Sequence, residues 1–302
     1  MIIKVYDEIQ RLKKEKDVVL LSHYYVDKEV QKISDYVGDS YYLAKIAKEV
    51  PQQKILFSGV YFMGESAKIL NPEKMVLIPD DSASCPMAHM ASIENIQQMR
   101  EKIEDLAVVC YINSTAALKA YCDVCVTSSN AVKIVKNLPQ NNILFVPDAH
   151  LGRYISTLIP EKNFYLNDGF CYVHQQITAD KIKALKAKYP KALVLAHPEC
   201  DFSVLELADY VGSTSGIIDY ASNCNEDEMI IATEVGVFYE LERQNPQKKF
   251  YAVTPKQLCA DMKKITLDKV VHTLKTESTE VKISEELRQK ALIPLNRMLE
   301  LS

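Results

Sequence analysis

Three of the eight cysteines stand at nearly equal intervals: Cys85, Cys171 and Cys259 are 86 and 88 residues apart. Cys171 lies in GFCYVHQ (169–175), where His174 follows it like one half of a zinc knuckle with no second half nearby. Three converging thiolates could bind zinc together with a water, or three irons of a [4Fe–4S] cluster whose fourth iron stays open. The even spacing therefore predicts one shared metal site built from distant segments.

The other cysteines have a simpler interpretation. In a reducing compartment an isolated cysteine is mostly a small buried hydrophobe, and this is what we expect of Cys110, Cys122, Cys200 and Cys224. Cys122 and Cys125 form a C-x-x-C pair, but they fall where a strand begins, so their side chains alternate faces and are poorly placed to chelate one metal. We leave a redox role for this pair open.

Residues suited to acid–base chemistry follow three β-branched runs that match one another. LSHYY contains His23 and Tyr25, YINST contains Tyr111 and Asn113, and AHPE contains His197 and Glu199. A histidine or carboxylate beside a metal can move protons if its pKa is tuned towards neutrality. Glu199 is the best candidate, whereas Asn113 and its neighbours could equally be a helix N-cap.

Small hydroxyl residues follow a second set of matching runs, DYVGDS, DVCVTSS and DYVGSTS. The candidates there are Ser40, Ser128, Ser213 and Thr214. Such residues at a helix start either cap the helix or help its N–H groups bind an anion. Their threefold register favours anion binding, and the two roles are compatible.

Short apolar runs alternate with longer amphipathic stretches, which is the βαβα pattern of a parallel sheet covered by helices. Four kinds of run occur in three copies each. They are VVLLSHYY, AVVCYINS and ALVLAHPE; the DYVGDS set above; KILFSGV, NILFVPD and MIIATEVGV; and MVLIPDDSASC, NFYLNDGFC and FYAVTPKQLC. This is the pattern of a triplicated unit of about 86 residues.

We therefore predict an α/β fold of three similar αβα lobes with parallel sheets about a pseudo-threefold axis. The predicted lobes are residues 1–86, with 265–302 packing back on them, 87–172 and 173–264. Ligands of parallel sheets bind at the carboxyl ends of the strands. The active site should accordingly lie in a central cavity where the three cysteines meet.

Composition excludes several classes of partner. A net charge of −4 and a pI near 5.9 give no general attraction for nucleic acid. No apolar run approaches the roughly 20 residues that span a bilayer, and the mixed-charge N-terminus is not a targeting signal. We expect a cytoplasmic protein with small-molecule ligands. The absence of GxGxxG and GxxxxGK[ST] argues against the standard nucleotide-binding motifs.

Several long motifs carry a family resemblance. HYYVDKEVQKISDYVGDSYYLA, FMGESAKILNPEKMVLIPD, YINSTAALKAYCDVCVTSSNAVKIV, AHPEC, VGSTSGI and MKKITL together resemble the quinolinate synthase family of NAD biosynthesis, from about residue 4 to residue 300. The resemblance implies three αβα domains around a [4Fe–4S] cluster held by Cys85, Cys171 and Cys259. It also implies condensation of iminoaspartate with dihydroxyacetone phosphate to quinolinate, with loss of phosphate and two waters.

The same resemblance implies roles for individual residues. His23 and His197 would contact substrate, Tyr25 and Glu199 would assist proton movements near the open iron, and Tyr111 would cover bound substrate. Asn113 and His174 would also lie in the site, with His174 pointing inwards rather than ligating. An L-aspartate oxidase or dehydrogenase would supply the imine. One departure is His150 in PDAHLG, where many members of the family carry asparagine.

Two other functions remain open from the residues. An iron–sulfur sensor of redox state or oxygen could bind a small dicarboxylate without turnover, although no basic DNA-reading helix provides an output surface. A zinc hydrolase could use the three thiolates and a water, although zinc held only by thiolates is usually structural. Analysis of iron and sulfide would separate the metals.

Overall fold

A computed structural model describes residues 2–302, with side chains from residue 4 onwards. The strands are β1 Val18–His23, β2 Tyr36–Gly38, β3 Lys54–Ser58, β4 Met75–Leu77, β5 Leu106–Tyr111, β6 Val124–Val126, β7 Asn142–Val146, β8 Asn163–Leu166, β9 Leu193–Ala196, β10 Tyr210–Val211, β11 Glu228–Ala232 and β12 Lys249–Ala252. The helices are α1 Ile2–Lys16, α2 Lys28–Ile33, α3 Ser40–Glu49, α4 Tyr61–Leu70, α5 Ile93–Lys102, α6 Ala116–Lys119, α7 Ala131–Asn137, α8 Ala149–Leu158, α9 Ala179–Lys188, α10 Phe202–Leu205, α11 Thr214–Asn223, α12 Phe238–Gln244, α13 Leu267–Thr276 and α14 Glu285–Leu301.

The strands form three parallel four-stranded sheets with one shared topology. Their orders are β2-β1-β3-β4, β6-β5-β7-β8 and β10-β9-β11-β12. Nine of the twelve strands lie within one of the repeated runs, and β5, β11 and β12 begin one residue before theirs. In each sheet the strands from the second, first, third and fourth run are adjacent in that order. The predicted α/β fold with three similar sheets is therefore confirmed.

The first strand of each copy occupies an inner position of its sheet. All six residues of β1 and of β5 are buried, as are three of the four in β9. Helices that cover both faces explain why these strands read as continuous apolar runs. In this strand order the topological switch point lies between the first and third strands, and their carboxyl ends border the crevice where such sheets bind ligands.

The chain forms two compact units. The first contains residues 2–89, 112–125 and 260–301, and the second contains residues 90–111, 126–259 and Ser302. In the first unit α1 packs against α13, while α14 packs against α4 and α6. The second unit holds the sheet centred on β9 and β11 and most of the sheet centred on β5 and β7. The three lobe boundaries and the pseudo-threefold axis stay predictions.

One backbone hydrogen bond recurs in all three copies and fixes the segment before each cysteine. The residue three positions after the third strand donates its N–H to the carbonyl two residues before the cysteine. The bonds run from Tyr61 to Ala83 (2.8 Å), from Ala149 to Gly169 (2.8 Å) and from Val235 to Gln257 (3.0 Å). Each cysteine is thus placed in the same register relative to its own sheet.

Candidate active site

Glu199 is the centre of a buried polar cluster in the second unit. Its carboxylate accepts a 2.6 Å hydrogen bond from the hydroxyl of Tyr111, the last residue of β5. Its other oxygen lies 2.8 Å from Nδ1 of His174 and 3.9 Å from Nδ1 of His197. All four side chains are buried. The cluster therefore joins an imidazole pair, a phenol and a carboxylate at the ends of strands in two sheets.

The two imidazoles of the cluster stack, with ring centroids 4.9 Å apart. Nδ1 of His197 accepts the backbone N–H of Glu199 at 3.3 Å. This nitrogen carries no proton in that arrangement, so the neutral ring is protonated at Nε2, which lies 3.2 Å from Oγ of Ser128. Burial lowers the pKa of His197 to about 3. His197 is therefore a neutral hydrogen-bond donor at physiological pH.

Two buried carboxyl groups in this region take opposite protonation states. Burial by itself raises the pKa of Glu199, but the close imidazoles of His174 and His197, together with the hydrogen bond from Tyr111, hold that pKa well below its usual range. Burial and then the charge of Glu199 raise the pKa of Asp148 well above its usual range. Two interacting carboxyl groups that are buried away from water cannot both ionise without a large free-energy cost. Glu199 is therefore ionised, and Asp148 is protonated.

Cys171 lies beside this cluster. Its sulfur, a nitrogen of His174 and a carboxylate oxygen of Glu199 all lie within 4.8 Å of one another. The backbone N–H of Gln175 donates to the carbonyl of Cys171 at 3.0 Å, so a short 3₁₀ turn at His174–Gln176 holds the histidine close to the cysteine. A thiolate, an imidazole and a carboxylate are all ligands for transition metals, so this group could hold a metal ion.

Cys259 belongs to the same unit. The hydroxyl of Tyr172, the residue after Cys171, lies 3.6 Å from the sulfur of Cys259. The backbone N–H of Cys259 donates to Oε1 of the buried Glu234 at 3.0 Å. Both cysteines are half-buried. This unit thus brings two of the three predicted cluster ligands to the ends of strands in its two sheets.

The first unit holds His23 and Tyr25, which repeat the arrangement of His197 and Glu199. Nδ1 of His23 accepts the backbone N–H of Tyr25 at 3.2 Å, and the two rings meet edge to face with centroids 4.5 Å apart. The neutral form of His23 therefore also carries its proton on Nε2. His23 is buried and Tyr25 half-buried. Asn113, also in this unit, is half-buried in the segment after β5.

Cys85 lies at the wall of a cavity of about 230 Å³ in the first unit, just before a short 3₁₀ turn at Pro86–His89. Glu65, Asp81 and His89 share this wall. Burial raises the pKa of Glu65, whose carboxylate accepts the N–H of Ala116 at 3.0 Å. Cys85 is half-buried, like Cys171 and Cys259, and no disulfide joins any of the eight cysteines, all of which lie in the described part of the chain.

The other cysteines are in the places expected of structural residues, with one difference. Cys110, Cys122, Cys125 and Cys200 are buried, whereas Cys224 is half-buried. Cys122 precedes β6 rather than starting it, and its sulfur lies 3.2 Å from the carbonyl of Leu118, within the cap of a helix turn. The redox role left open for the C-x-x-C pair stays untested.

The hydroxyl residues divide between capping and other positions. Ser213 is a true N-cap, because its Oγ accepts the N–H of Gly216 at 3.1 Å. Thr214 is the first residue of α11, and Ser40 is the first residue of α3, whose cap is Asp39. Ser128 contacts His197 instead of capping α7. Anion binding by these four residues stays a prediction.

Three buried polar residues in this region were not selected from the sequence. Oγ1 of Thr233 lies 2.9 Å from Nε2 of His174, Glu234 accepts the backbone N–H of Cys259, and the charge of Glu199 helps to raise the pKa of Asp148. All three follow a third strand, β7 or β11. The register match of NILFVPD with MIIATEVGV could have identified them, because it already placed them at the same sheet edge.

His150, the departure from the common family pattern, lies in the first turn of α8. Its Nδ1 is 3.9 Å from Oδ2 of Asp201, and burial lowers its pKa. This places it beside the segment after Glu199.

No helix formed by residues 2–302 is long and apolar enough to cross a bilayer.

Comparison with known proteins identifies the family of this chain. The family model of the quinolinate synthetase A protein (NadA) matches residues 7–300. The chain is 54% identical over 296 residues to the quinolinate synthase of Fusobacterium nucleatum, with 98% of this chain and 99% of the relative covered. It is 49% identical to that of Clostridioides difficile and 47% identical to that of Caldicellulosiruptor bescii, each over 295 residues, with 98% of this chain and 97% of each relative covered. This chain, with its buried carboxylate and histidine cluster at the strand ends, belongs to the quinolinate synthase family of enzymes.

Proposed function

We propose that this member of the family condenses iminoaspartate with dihydroxyacetone phosphate to form quinolinate, releasing phosphate and two waters. The observation that carries the proposal is the buried cluster of Glu199, His174, His197 and Tyr111, with Cys171 beside it. A carbon–carbon condensation followed by dehydration needs repeated proton transfers in a site that excludes water. The cluster supplies a buried carboxylate beside two imidazoles and a phenol.

We further propose that Cys85, Cys171 and Cys259 hold a [4Fe–4S] cluster. Their donor set suits it: three half-buried cysteines outside any disulfide, each held by the same backbone bond after the fourth strand of its copy. When bound, such a cluster would supply an open iron, a Lewis acid that polarises a substrate oxygen. A single ion held by Cys171, His174 and Glu199 is the competing arrangement, and the ratio of iron to sulfide separates the two.

The protein's own residues would bind and orient the substrates. The neutral tautomers of His23 and His197 carry a proton on Nε2, and such a donor would suit a substrate carboxylate. Thr214 and Ser40 stand in the first turn of ten-residue helices, where exposed N–H groups and the helix dipole favour anions such as phosphate. Ser128 would extend the contact of His197 to the bound anion, and Asn113 would add an amide beside Tyr111.

Proton movement would centre on Glu199. Its neighbours hold it as an anion, the form that accepts a proton, but its lowered pKa is the opposite of the shift towards neutrality expected from the sequence, so it is a weak base that would return the proton readily. The imidazole of His174 and the hydroxyl of Tyr111 would stabilise the carboxylate between transfers, and Tyr25 would also assist proton movements. Iminoaspartate is unstable in water, so an L-aspartate oxidase or dehydrogenase would need to supply it within the same compartment, which we predict to be the cytoplasm.

Anaerobically purified, cluster-reconstituted protein given freshly generated iminoaspartate and dihydroxyacetone phosphate tests the proposal. We expect quinolinate to form, and to disappear in Cys171→Ala and in Glu199→Gln. Glu199→Gln should keep its iron and sulfide, which separates loss of proton transfer from loss of the metal centre. An intact centre of four irons per chain without product would refute the reaction and leave a sensor of small dicarboxylates as the better interpretation.

A further inference from the structure

Glu234 is a fully buried carboxylate whose two oxygens both accept backbone N–H groups. Oε1 accepts the N–H of Cys259 at 3.0 Å, and Oε2 accepts the N–H of Gly236 at 2.5 Å. A buried carboxylate costs several kcal/mol unless charged hydrogen bonds compensate it. Two backbone donors supply this compensation, so the carboxylate and both donors are held in one fixed arrangement.

The segment that leads to Cys259 is tied down at further points. The side chain of the buried Gln257 donates to the carbonyls of Ile231 (2.9 Å) and Thr233 (2.6 Å) and accepts the N–H of Thr254 at 2.9 Å. The backbone bond from Val235 to Gln257 lies between these contacts. The strand end at 231–235 therefore holds Gln257 through three residues, and Glu234 is the residue of this segment that bonds the main chain of Cys259.

The same position differs between the copies. Counting two residues past the third strand gives Val60, Asp148 and Glu234. Val60 has no side-chain acceptor, and Asp148 uses Oδ1 to cap α8 through Leu151 at 2.8 Å. In Glu234 the extra methylene lets the carboxylate both cap the turn at Val235–Val237 and reach the main chain of the cysteine.

We propose that Glu234 is a positioning residue for the metal centre: it fixes the main chain of Cys259 so that the thiolate is presented in a geometry that retains iron. This inference rests on the proposed function, because it takes Cys259 as a ligand. Outer residues that orient metal ligands typically contribute about 10- to 100-fold to metal affinity. Glu234 would act through its hydrogen bond to the ligand's backbone and would not touch iron or substrate.

Glu234→Gln is the sharpest variant, because it keeps the shape but replaces one acceptor with an NH₂ group that faces a backbone N–H. Glu240→Gln is the matched control: Glu240 is also a buried glutamate of this unit, and its carboxylate bonds Arg243 and Gln244. Both variants and the parent are reconstituted anaerobically. Iron and sulfide per chain, the electron paramagnetic resonance spectrum of the reduced centre, and the rate of iron release to a chelator are then measured.

We expect Glu234→Gln to release iron about 10-fold faster than the parent and to show an altered spectrum, while Glu240→Gln matches the parent in both. Glu234→Asp keeps the charge but has a shorter side chain. Its rate of iron release should lie between those of the parent and Glu234→Gln. Equal release rates and spectra in Glu234→Gln and the parent would overturn the proposal. So would unfolded metal-free protein in both Glu234 variants, because Glu234 would then be needed for folding itself. A parent chain that binds no iron–sulfur centre would instead refute the proposed function.

Discussion

The hydroxyl of Tyr111 lies 2.6 Å from Oε1 of Glu199 and joins two residues that are 88 positions apart. Tyr111 ends β5 and Glu199 follows β9, so the bond connects the first strands of two sheets of the second unit. A phenol that donates to a buried carboxylate stabilises the charged form. Tyr111 therefore helps to set the protonation state of the residue that we propose to move protons.

Tyr111→Phe should weaken that control. A hydrogen bond to a charged group contributes about 1.5–3 kcal/mol, so we expect kcat to fall by roughly 10- to 150-fold. Loss of the donor removes one cause of the low pKa of Glu199, so the acid limb of the pH–rate profile should move to higher pH. Steady-state kinetics across pH, with Tyr154→Phe as a control outside the cluster, provide the measurement. An acid limb that stays at the parental pH would contradict this account of Glu199.

His197 should make the metal-free protein less stable in acid. Burial lowers its pKa from 6.5 in the unfolded chain to about 3 in the folded protein. Between those values the unfolded chain binds a proton that the folded chain does not, so stability decreases as pH falls below 6.5. The slope is up to about 1.4 kcal/mol per pH unit, or roughly 2 kcal/mol between pH 6.5 and 5.

His197→Gln removes this group, so its melting temperature should fall less between pH 7 and pH 5 than that of the parent. Thermal unfolding followed by circular dichroism is the measurement. His272→Gln, at an exposed histidine, is the control and should retain the parental pH dependence. If the melting temperature of His197→Gln fell as much between pH 7 and pH 5 as that of the parent, His197 would not be neutral in the folded state.

Serine substitutions should distinguish the three evenly spaced cysteines, which we propose as cluster ligands, from the other cysteines. We expect Cys85→Ser, Cys171→Ser and Cys259→Ser each to lose most of the bound iron and sulfide, because a cluster with two protein thiolates is poorly retained. Cys224→Ser should bind as the parent does, since Cys224 is equally half-buried but lies beside the carbonyl of Ala221 at the end of α11. Full iron content in any of the first three would remove that residue from the ligand set.

Gly169→Ala should disturb Cys171 through the backbone. A methyl group there would lie 2.3 Å from the carbonyl oxygen of Pro147 and 3.0 Å from Cβ of Met90. A carbonyl oxygen and a Cβ atom cannot rotate away as the end of a side chain can, so the segment before Cys171 must shift, at a cost of about 1–3 kcal/mol. We expect a lower melting temperature of the metal-free protein and faster iron release from the loaded protein.

Gly216→Ala is the counterpart, because its methyl group would meet the hydroxyl end of the Tyr210 side chain at 2.6 Å. A side chain can move where a carbonyl cannot, so this variant should be close to the parent in both measurements. Equal losses in the two variants would mean that the segment before Cys171 is no more constrained than the surface of α11.

Much of the fold could be predicted from the sequence because the pattern of apolar runs is repeated three times. VVLLSHYY, AVVCYINS and ALVLAHPE each became an inner strand, and the other repeated runs took the same places in all three sheets. Parallel strands buried on both faces leave a strong local signal in the form of continuous apolar runs. Polar residues after such strands, such as His23 and His197, stood out for the same reason.

The contacts around Glu199 depend on packing that no local pattern encodes. The sequence placed His197 and Glu199 at a strand end and His174 near Cys171, and family resemblance supplied their roles. Only the folded chain stacks the two imidazoles, directs Tyr111 to Oε1, and raises the pKa of Asp148 through burial and the charge of Glu199. Register along the chain therefore determined which residues reach the carboxyl edges of the sheets. Tertiary packing decided which of them touch and which are charged, because both depend on distances and burial between segments tens of residues apart.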